Sequence, residues 1–264
     1  MTVSKADDNA VDSAAARAFI DQYGRRATEL PPLAIVIAAY NEEGAIGPVV
    51  EALPSVISGL EVAKIVVSDG SVDSTVKDAE TAGALVCDVQ VNRGQGAALR
   101  LGYRLAREGG AKYIVTTDAD GQYNPAEIEA LMAPILAGQA DFVTGSRTMG
   151  SEETKDPVRK LGVRVFAVVI SMLTGQKISD TTFGLRAMRA EVTGAVLLEQ
   201  PQYQAAELLI GVITHGYKVI EVPATIHKRQ VGQSKKGHNA TYALHFTGVI
   251  CRTWFRERQR RARG

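Results

Sequence analysis

The sequence predicts an α/β fold in which a mostly parallel sheet carries helices on both faces. The first observation is that strand-length apolar runs alternate with helical segments about five times before residue 150, which is typical of a parallel sheet. The second is that these runs are continuously apolar, as strands covered on both faces require. The third is that 264 residues, 45% hydrophobic and 22% charged, suit one large domain.

The elements of this domain follow one another in a regular order. Residues 1–30 are a polar, Ala-rich extension in which 14–25 could be helical, and we assign no function to it. The core domain is expected over 31–239, after the Pro31-Pro32 pair. Strands are expected at 33–40, 63–71, 84–91, 111–120 and 140–147. Helices are expected within 41–57, 73–83, 92–110 and 124–138.

The second half of the chain has a less regular pattern. It predicts a helix at 163–175, a polar connection with a strand at 178–192, a helix at 204–216 and a strand at 218–226. Residues 240–264 are expected to form a basic amphipathic helix, in which six Arg against one Glu follow residue 251. Such a helix suits an anionic membrane surface or a membrane-protein partner. A helix packed on the domain with a solvated Arg tail suits the sequence equally.

Composition excludes several classes of protein. The net charge of +1 gives no overall nucleic-acid footprint. Two distant cysteines, Cys87 and Cys251, indicate neither a disulfide framework nor a cysteine zinc site. The N-terminus lacks the pattern of a signal peptide, and the longest strongly apolar run, about 12 residues from Val165, falls short of the roughly 18 that a spanning helix needs. We expect a cytoplasmic protein that could be peripheral on the cytoplasmic face of the membrane.

Two carboxylates stand at the end of a buried strand in "IVTTDADGQY". Asp118 and Asp120 are one residue apart, and Gln122 adds a neutral oxygen two residues later. Burying like charges is costly unless a cation meets them. Such a pair can hold Mg²⁺ or Mn²⁺ that neutralises a diphosphate, although Asp, Gly and Asn also make ordinary turns. Ligands of parallel sheets bind beyond the carboxyl ends of the strands, which is where this pair lies.

Other strand ends carry polar residues of the same kind. Asp69 can bind a base or a ribose, or can cap the next helix, although Ser71 or Asp73 would cap it better. The glycines of "NRGQGAALRLG" have the wrong spacing for a dinucleotide fingerprint, which disfavours a dehydrogenase. The loop "HKRQVGQSKKG" can close over phosphates or be a solvated basic loop. No Ser-His-Asp, Cys-His or H-E-x-x-H arrangement is evident, and the four histidines lack zinc spacing.

Eight short motifs together resemble glycosyltransferase family 2, whose fold is the nucleotide-sugar-binding GT-A fold. They occur in family order and span about 33–236: "AAYNEE", "SDGSVDST", "NRGQGAALRLG", "DADGQ", "GSR", "SDTTFGLRAMR", "AAELL" and "HKRQVGQSK". Within the family, "SDTTFGLRAMR" and the R-x-x-G-x-S-K pattern from Arg229 to Lys235 are most similar to the polyprenyl- and dolichyl-phosphate mannosyltransferase-like sugar synthases. The resemblance implies a GT-A domain and a divalent metal, Mg²⁺ or Mn²⁺.

The resemblance also implies roles for individual residues. The nucleoside would be held by Ala39, Tyr40, Glu42, Val67 and Asp69. The sugar-diphosphate would meet Asp118, Ala119 and Asp120, and the metal would be bound by Asp118, Asp120 and Gln122. Phosphates would contact Arg147, Arg229 and Lys235, and the acceptor phosphate would contact Arg159, Lys160 and Arg164. The catalytic residues would be Asp120, Arg147, Asp180 and Glu207, with Asp180 or Glu207 as the base if the acceptor is a hydroxyl.

Three positions depart from the family pattern. Ala39 stands before Tyr40 where this branch often has Pro, Ser68 replaces one of two usual aspartates, and Val163 stands where related enzymes can carry a hydroxyl near the acceptor phosphate. Because Asp69 aligns with the retained, nucleotide-contacting carboxylate, activity is expected to survive. The Val163 departure weakens the lipid-phosphate assignment somewhat.

The expected function is inverting transfer of a sugar, with mannose from GDP-mannose leading, to a polyprenyl or dolichyl phosphate. The alternative is transfer from a UDP-sugar or GDP-sugar to a soluble or cell-wall hydroxyl. A non-catalytic nucleotide-sugar sensor is a further class, which the full set of phosphate and metal ligands disfavours. A nucleotidyltransferase usually opens with a Gly-rich basic loop, whereas "AAYNEEGAIG" is acidic.

Overall fold

The computed structural model describes residues 5–153, 157–200, 204–229 and 240–263, without the side chains of 5–7, 157–159, 240–246 and 263. A mixed, mostly parallel sheet runs through the described chain. Its strands are β1 (Leu33–Ala39), β2 (Val56–Ile57), β3 (Leu60–Asp69), β4 (Leu85–Val89), β5 (Tyr113–Asp118), β6 (Phe142–Glu152), β7 (Arg186–Arg189) and β8 (Val219–Ile226).

The strand order is β2-β3-β1-β5-β7-β6-β8, and β4 extends the sheet by pairing with β3. The pairs β1–β3, β1–β5, β3–β4 and β6–β8 are parallel. Strand β7 is antiparallel to both of its neighbours, β5 and β6. Because β1 is an interior strand with six of its seven residues buried, both of its faces need helices to cover them.

Helices cover the two faces of this sheet. Those before residue 140 are α1 (Lys5–Tyr23), α2 (Arg25–Thr28), α3 (Ile46–Ala52), α4 (Thr75–Thr81), α5 (Gln95–Glu108), the 3₁₀ turn Pro125–Glu127 and α6 (Ile128–Leu136). Those after it are α7 (Pro157–Thr174), α8 (Val192–Ala195), α9 (Gln204–Thr214) and α10 (Ala240–Arg263). None of the helices among the described residues is both long enough and apolar enough to cross a bilayer.

Two layers of buried apolar side chains flank the sheet. One layer joins α1 and α5 to the sheet through residues such as Phe19, Val36 and Leu101. The other joins α3 and α6 through residues such as Ile46, Ile37 and Leu131. A third, smaller cluster packs α10 on α7 and α9 through Ile250, Phe166, Ile170, Ala206 and Ile210. The expected α/β fold with helices on both faces is confirmed.

The structure departs from the sequence-based expectations in three elements. The first helix begins at Lys5 rather than residue 14 and shares the main core. The expected turn and helix of 41–57 end in strand β2, which forms a tight hairpin with β3 through Ser58 and Gly59, both with positive φ. Helix α10 packs on the domain through a buried Ile250, which fits the second of the two readings given for this segment.

Candidate active site

The register of the strands brings together three strand ends that carry polar or charged residues. Ala39 of β1 lies opposite Ser68 of β3, and Ala38 lies opposite Asp118 of β5. Tyr40, Asp69 and Asp118 therefore meet at one edge of the sheet, at the carboxyl ends of its parallel strands. This is the edge at which α/β sheets bind ligands.

Asp69 is buried and held by two backbone amides. Its Oδ2 accepts hydrogen bonds from Arg93 N at 2.9 Å and from Gly94 N at 2.6 Å. Its Oδ1 is buried and has no hydrogen-bond partner among the described residues. Burial raises the pKa of this carboxyl group, and the two amides oppose that effect. The second oxygen is thus placed to accept a hydrogen bond from a ligand.

A second loop closes beside Asp69. Glu42 N donates to Thr75 Oγ1 at 2.8 Å, Asn41 N donates to Ser71 Oγ at 3.1 Å, and Asn41 Oδ1 accepts from Val72 N. These bonds fasten the chain after β1 to the chain after β3. Tyr40, which directly follows β1, is 39% exposed, while Val67 of β3 and Ala39 of β1 are buried.

Asp118 and Asp120 have different partners. Asp118 Oδ1 accepts from Gln95 Nε2 at 3.0 Å. Asp120 Oδ2 accepts from Arg229 Nη2 at 3.1 Å, and the same nitrogen lies 3.3 Å from Glu42 Oε1. Burial first, and then the charge of Asp118, raises the pKa of Asp120, while Arg229 lowers it. The Arg229 guanidinium therefore bridges Asp120 and Glu42 at the sheet edge.

The aspartate pair fits a divalent cation. Two carboxylates that repel one another offer the hard oxygen ligands that Mg²⁺ and Mn²⁺ take. Gln122 lies beside them, with its side-chain nitrogen donating to His227 O at 2.9 Å. Within the described residues no group of three or more His, Cys, Asp and Glu side chains forms a metal site by itself. The ligand set would have to be completed by other oxygen atoms.

Gly184 forms the wall behind Asp118. A Cβ at this glycine would lie 2.7 Å from Asp118 Oδ2 and 2.8 Å from the Tyr123 hydroxyl. Gly184 N donates to that hydroxyl at 2.8 Å. The Tyr123 ring in turn packs on Phe183, with ring centroids 5.0 Å apart. The segment "TTFGL" is therefore shaped to bring its backbone against the aspartate.

Arg147 lies on the far side of Phe183, with its guanidinium carbon 5.8 Å from the ring centroid. Its Nε donates to Asp180 Oδ2 at 2.6 Å and its Nη2 donates to Thr182 Oγ1 at 3.0 Å. Arg147 Nη1 lies 3.7 Å from Glu152 Oε1. Arg147 and Asp180 are both buried, so this ion pair is desolvated.

A cavity of about 230 Å³ opens beside Arg147, between β6 and the start of α7. Three of its lining residues are cationic and one is acidic. The lining consists of Arg147, Thr148, Gly150, Ser151, Glu152, Lys160, Val163 and Arg164. A chain of contacts from Arg147 through Phe183 and Tyr123 to Gly184 connects this cavity to Asp118.

Comparison with known proteins identifies the family. The model described as glycosyl transferase family 2 matches residues 34–197. The dolichyl-phosphate hexose transferase of Haloferax volcanii is 34% identical, over 77% of this chain and 86% of its own length. The polyprenol monophosphomannose synthase of Mycolicibacterium smegmatis is 32% identical, over 87% of this chain and 89% of its own length. The chain belongs to glycosyltransferase family 2.

A solved structure supports the fold. The chain superposes with a TM-score of 0.67 on glucosyl-3-phosphoglycerate synthase from Mycobacterium tuberculosis, crystallised with Mn²⁺, uridine diphosphate and glucosyl-3-phosphoglycerate. The match covers 90% of this chain and 83% of that chain, at 20% identity. The expected GT-A fold is thus confirmed, and the chain is a family 2 glycosyltransferase.

Most of the expected site residues of this family 2 chain lie together. Ala39, Tyr40, Glu42, Val67, Asp69, Asp118, Ala119, Asp120, Gln122 and Arg229 gather at the sheet edge, and Arg147, Lys160 and Arg164 line the adjacent cavity. Two expected phosphate ligands cannot be placed in this way. Lys235 and the side chain of Arg159 lie outside the described residues.

Glu207 has a different environment from the one expected for a catalytic base. It is fully buried, and its Oε2 accepts from Glu199 N and Gln200 N, both at 2.9 Å. Its Oε1 lies 2.9 Å from Arg256 Nη2 of α10. Through these contacts Glu207 connects the chain between α8 and α9 to α10.

The sequence assigns no individual role to four residues that shape the site: Arg93, Gln95, Tyr123 and Gly184. Arg93 lies at a strand end and Gln95 directly follows that strand end, and both residues, like Gly184, belong to motifs that carry the family resemblance. An "FG" pair next to an antiparallel strand gives no indication that it will lie against an aspartate 66 residues earlier in the chain. Only the pairing of β7 with β5 brings them together.

Proposed function

We propose that this glycosyltransferase moves a sugar, mannose from GDP-mannose in the leading case, to a polyprenyl or dolichyl phosphate with inversion at the anomeric carbon. The observation that carries the proposal is the cationic cavity at Arg147, which a chain of side-chain contacts connects to Asp118 and which opens at the start of a helix with an exposed apolar face. An anionic head and an apolar chain are the two parts of such an acceptor.

The donor would lie along the sheet edge. Asp69 Oδ1 would accept a hydrogen bond from the nucleoside, with Ala39, Tyr40, Glu42 and Val67 around it. The diphosphate would lie near Asp118, Ala119 and Asp120, with Arg229 as a counter-charge. Lys235 would add a second cation from the same loop.

Mg²⁺ or Mn²⁺, held by Asp118, Asp120 and Gln122, would neutralise charge on the departing nucleoside diphosphate. The named structural neighbour was crystallised with Mn²⁺ and uridine diphosphate, which supports this part of the proposal.

The acceptor phosphate would occupy the cavity. Arg147 of β6 and Lys160 and Arg164 of α7 line it, and Arg159 lies directly before Lys160 on α7. A phosphate monoester has a second pKa of about 6 and is therefore already ionised near pH 7. Its oxygen would attack the anomeric carbon directly, while the bond from that carbon to the diphosphate oxygen breaks. No general base is then required, which fits the pairing of Asp180 with Arg147.

The apolar chain of the acceptor would follow α7. Four exposed side chains recur at spacings of four, three and four residues and so form one stripe on the outer face of this helix. The stripe consists of Leu161, Val165, Val168 and Met172, which are 64%, 48%, 58% and 79% exposed. Lys160 and Arg164 lie on the neighbouring row. The membrane surface, with the basic α10 beside it, would be the site of this encounter.

The named relatives support the acceptor class, since one is a dolichyl-phosphate hexose transferase and the other a polyprenol monophosphomannose synthase. A second candidate function is transfer to a hydroxyl group from a UDP-sugar or GDP-sugar. It is favoured by Glu152, a buried carboxylate in the lining of the cavity, which could take the proton of a hydroxyl acceptor.

The deciding experiment is a donor and acceptor panel. Purified protein and Mn²⁺ are mixed with labelled GDP-mannose, UDP-glucose or UDP-N-acetylglucosamine and with either polyprenyl phosphate or a water-soluble hydroxyl acceptor. Label is counted in the organic extract and on the water-soluble acceptor. We expect lipid-phase label from one donor only. This label should be lost when the metal is chelated and in the Asp120→Asn variant. The Glu129→Gln variant, at an exposed position, is the control and should transfer label as the wild type does. Label on a water-soluble hydroxyl acceptor, and none in the lipid phase, would favour the second candidate.

A further inference from the structure

Helix α1 contacts the donor side of the site although it lies before the region that the family model matches, 34–197. Its inner face packs Ala15, Ala16 and Phe19 into the main core, against the face of the sheet that α5 also covers. Its first turns carry Asp8 and Asp12. Both aspartates lie against Arg93 and Arg100, at the start of α5.

The ion pair between Asp12 and Arg93 is the most buried part of this contact. Asp12 Oδ1 lies 2.7 Å from Arg93 Nη1, and the two side chains are only 7% and 2% exposed. The same Nη1 donates to Asp8 O at 3.3 Å. Asp12 Oδ2 accepts from Arg100 Nη2 at 3.2 Å. Asp12 therefore bridges two arginines with its two oxygens.

The backbone of Arg93 holds Asp69. Arg93 N and Gly94 N donate to Asp69 Oδ2, and these two bonds direct the other oxygen, Oδ1, away from them. Gly70 also packs tightly here, because a Cβ on it would lie 2.5 Å from Asn92 N. The loop at 92–94 is thus fixed from one side by Asp12 and fixes Asp69 on the other.

Asp12 and Asp69 are linked because burying the Arg93 side chain is costly. A buried guanidinium without a carboxylate is strongly unfavourable. The Nε and Nη2 atoms of Arg93 already lack hydrogen-bond partners among the described residues. Removing the Asp12 charge would leave Arg93, within the described part of the chain, with only the longer, partly exposed contact to Asp8, 3.5 Å from its Nη1. This would drive the Arg93 side chain toward water, and its own backbone amide would move with it. Displacements of about 1 Å are enough to weaken a positioned contact severely.

We propose that Asp12 is a positioning residue for the nucleotide-sugar donor: through the Arg93 side chain it fixes the backbone amides that orient Asp69. The inference rests on the proposed function, in which Asp69 Oδ1 meets the nucleoside. It assigns the N-terminal helix α1 a part in donor binding, whereas the sequence alone led us to expect no function for it.

The test compares Asp12→Asn with Asp21→Asn, an exposed aspartate on the same helix. We expect Asp12→Asn to raise the KM for the donor and the Kd for the free nucleoside diphosphate about tenfold, while kcat and the KM for the acceptor change less than about twofold. Asp12→Glu should recover part of the donor affinity. Asp21→Asn should behave as the wild type.

A double-mutant cycle with Arg93→Met tests the route. If Asp12 acts through Arg93, the double variant should bind the nucleotide no more weakly than Arg93→Met alone. A lower Tm for Asp12→Asn with an unchanged donor KM and nucleotide Kd would overturn the inference, since the pair would then only stabilise the fold. Additive losses in the cycle would also overturn it.

Two further measurements distinguish a failure of this inference from a failure of the proposed function. Asp69→Asn is expected to weaken nucleotide binding; if it does so and Asp12→Asn does not, the inference alone fails. If the wild type binds neither GDP nor UDP, the proposed function fails with it. Should Asp12→Asn not fold, Asp8→Asn, whose side chain is 25% exposed and lies 3.5 Å from Arg93 Nη1, serves instead. It should shift donor KM in the same direction by about twofold to threefold, and an unchanged KM would count against the inference.

Discussion

Gly184 shows how tightly single residues are constrained at this site. Any Cβ at position 184 would enter the space of Asp118 Oδ2 and the Tyr123 hydroxyl, at 2.7 and 2.8 Å. We expect Gly184→Ala to lower kcat by about tenfold to a hundredfold, because the aspartate must shift. Steady-state kinetics with the accepted donor will measure this. Gly248→Ala, where a Cβ would meet nothing within 4 Å, is the matched control and should leave kcat unchanged; equal kinetics in both variants would contradict the argument.

The Arg147–Asp180 pair gives a stability prediction. Asp180→Ala removes the closest carboxylate from the buried Arg147 guanidinium and leaves, among the described residues, only Glu152, 3.7 Å away. Loss of one partner of a buried pair typically costs about 3 kcal/mol or more. Urea unfolding should therefore show a clearly lower free energy of unfolding. Glu108→Ala, which breaks an exposed pair with Arg104, should cost less than about 1 kcal/mol. Similar losses in the two variants would mean that Arg147 finds water or another partner when Asp180 is removed.

Individual site residues were predictable from sequence where they directly follow an apolar run that forms a strand. Asp69, Asp118 and Asp120 follow apolar runs directly, and parallel strands place such residues at one edge. Asp12 and Gly184 gave no such indication, since their importance depends on contacts 81 and 66 residues away in the chain. Glu207 was chosen by resemblance, and its burial against two backbone amides could not be derived from its neighbours in sequence.

At the scale of elements, α7 carries two different surfaces. One face buries Phe166 and Ile170 against α9 and α10, and the opposite face exposes the apolar stripe. The sequence predicted the helix from its apolar content but not which apolar residues would remain uncovered. Nearly every position from Val165 to Leu173 is apolar, so periodicity alone could not separate the two faces.

The stripe leads to a prediction about acceptor length. Val165→Ser with Val168→Ser should raise the KM for a long polyprenyl phosphate about tenfold, because two apolar contacts with the chain are lost. The KM for a short, water-soluble prenyl phosphate should stay the same, since its phosphate still meets Arg147, Lys160 and Arg164. Both acceptors are compared in one assay, with Val56→Ser, another exposed valine, as control. An equal change for both acceptors would place the lipid chain elsewhere.

Sheet elements were more predictable than their pairing. All seven expected strands are present, and all of them except β7, which lies in a polar connection, contain a short apolar run. The hairpin strand β2 was missed because two residues carry no periodicity. The position of β7 between β5 and β6 is a long-range choice. Nothing within "LRAMR" specifies that this strand runs antiparallel to both neighbours.

At the scale of the whole molecule, both ends of the chain pack on the central sheet domain. Helix α1 contributes Phe19 to the main core, and α10 contributes Ile250 to the cluster with α7 and α9. The buried Glu257 of α10 also lies 3.0 Å from His215 at the end of α9. Shifts in composition led us to describe 1–30 as an extension and 240–264 as a helical tail, and composition does not show which side of an amphipathic helix is covered.

Whether α10 belongs to the cooperative unit can be measured directly. Ile250 is fully buried, so Ile250→Ala should lower the free energy of unfolding by about 3 kcal/mol, the usual cost of such a cavity. For a chain of this size the Tm should fall by roughly 5 to 10 °C. Calorimetry should show one transition for the wild type and for the variant.

The matched control is Phe255→Ala, five residues later on the same helix, where the ring is 59% exposed. It should leave the Tm nearly unchanged, because little buried area is lost. If Ile250→Ala also leaves the main transition in place, or if a separate low-temperature transition appears, α10 unfolds independently of the domain. In that case Arg256 could not hold Glu207 while the helix is detached, and the chain between α8 and α9 would loosen with it.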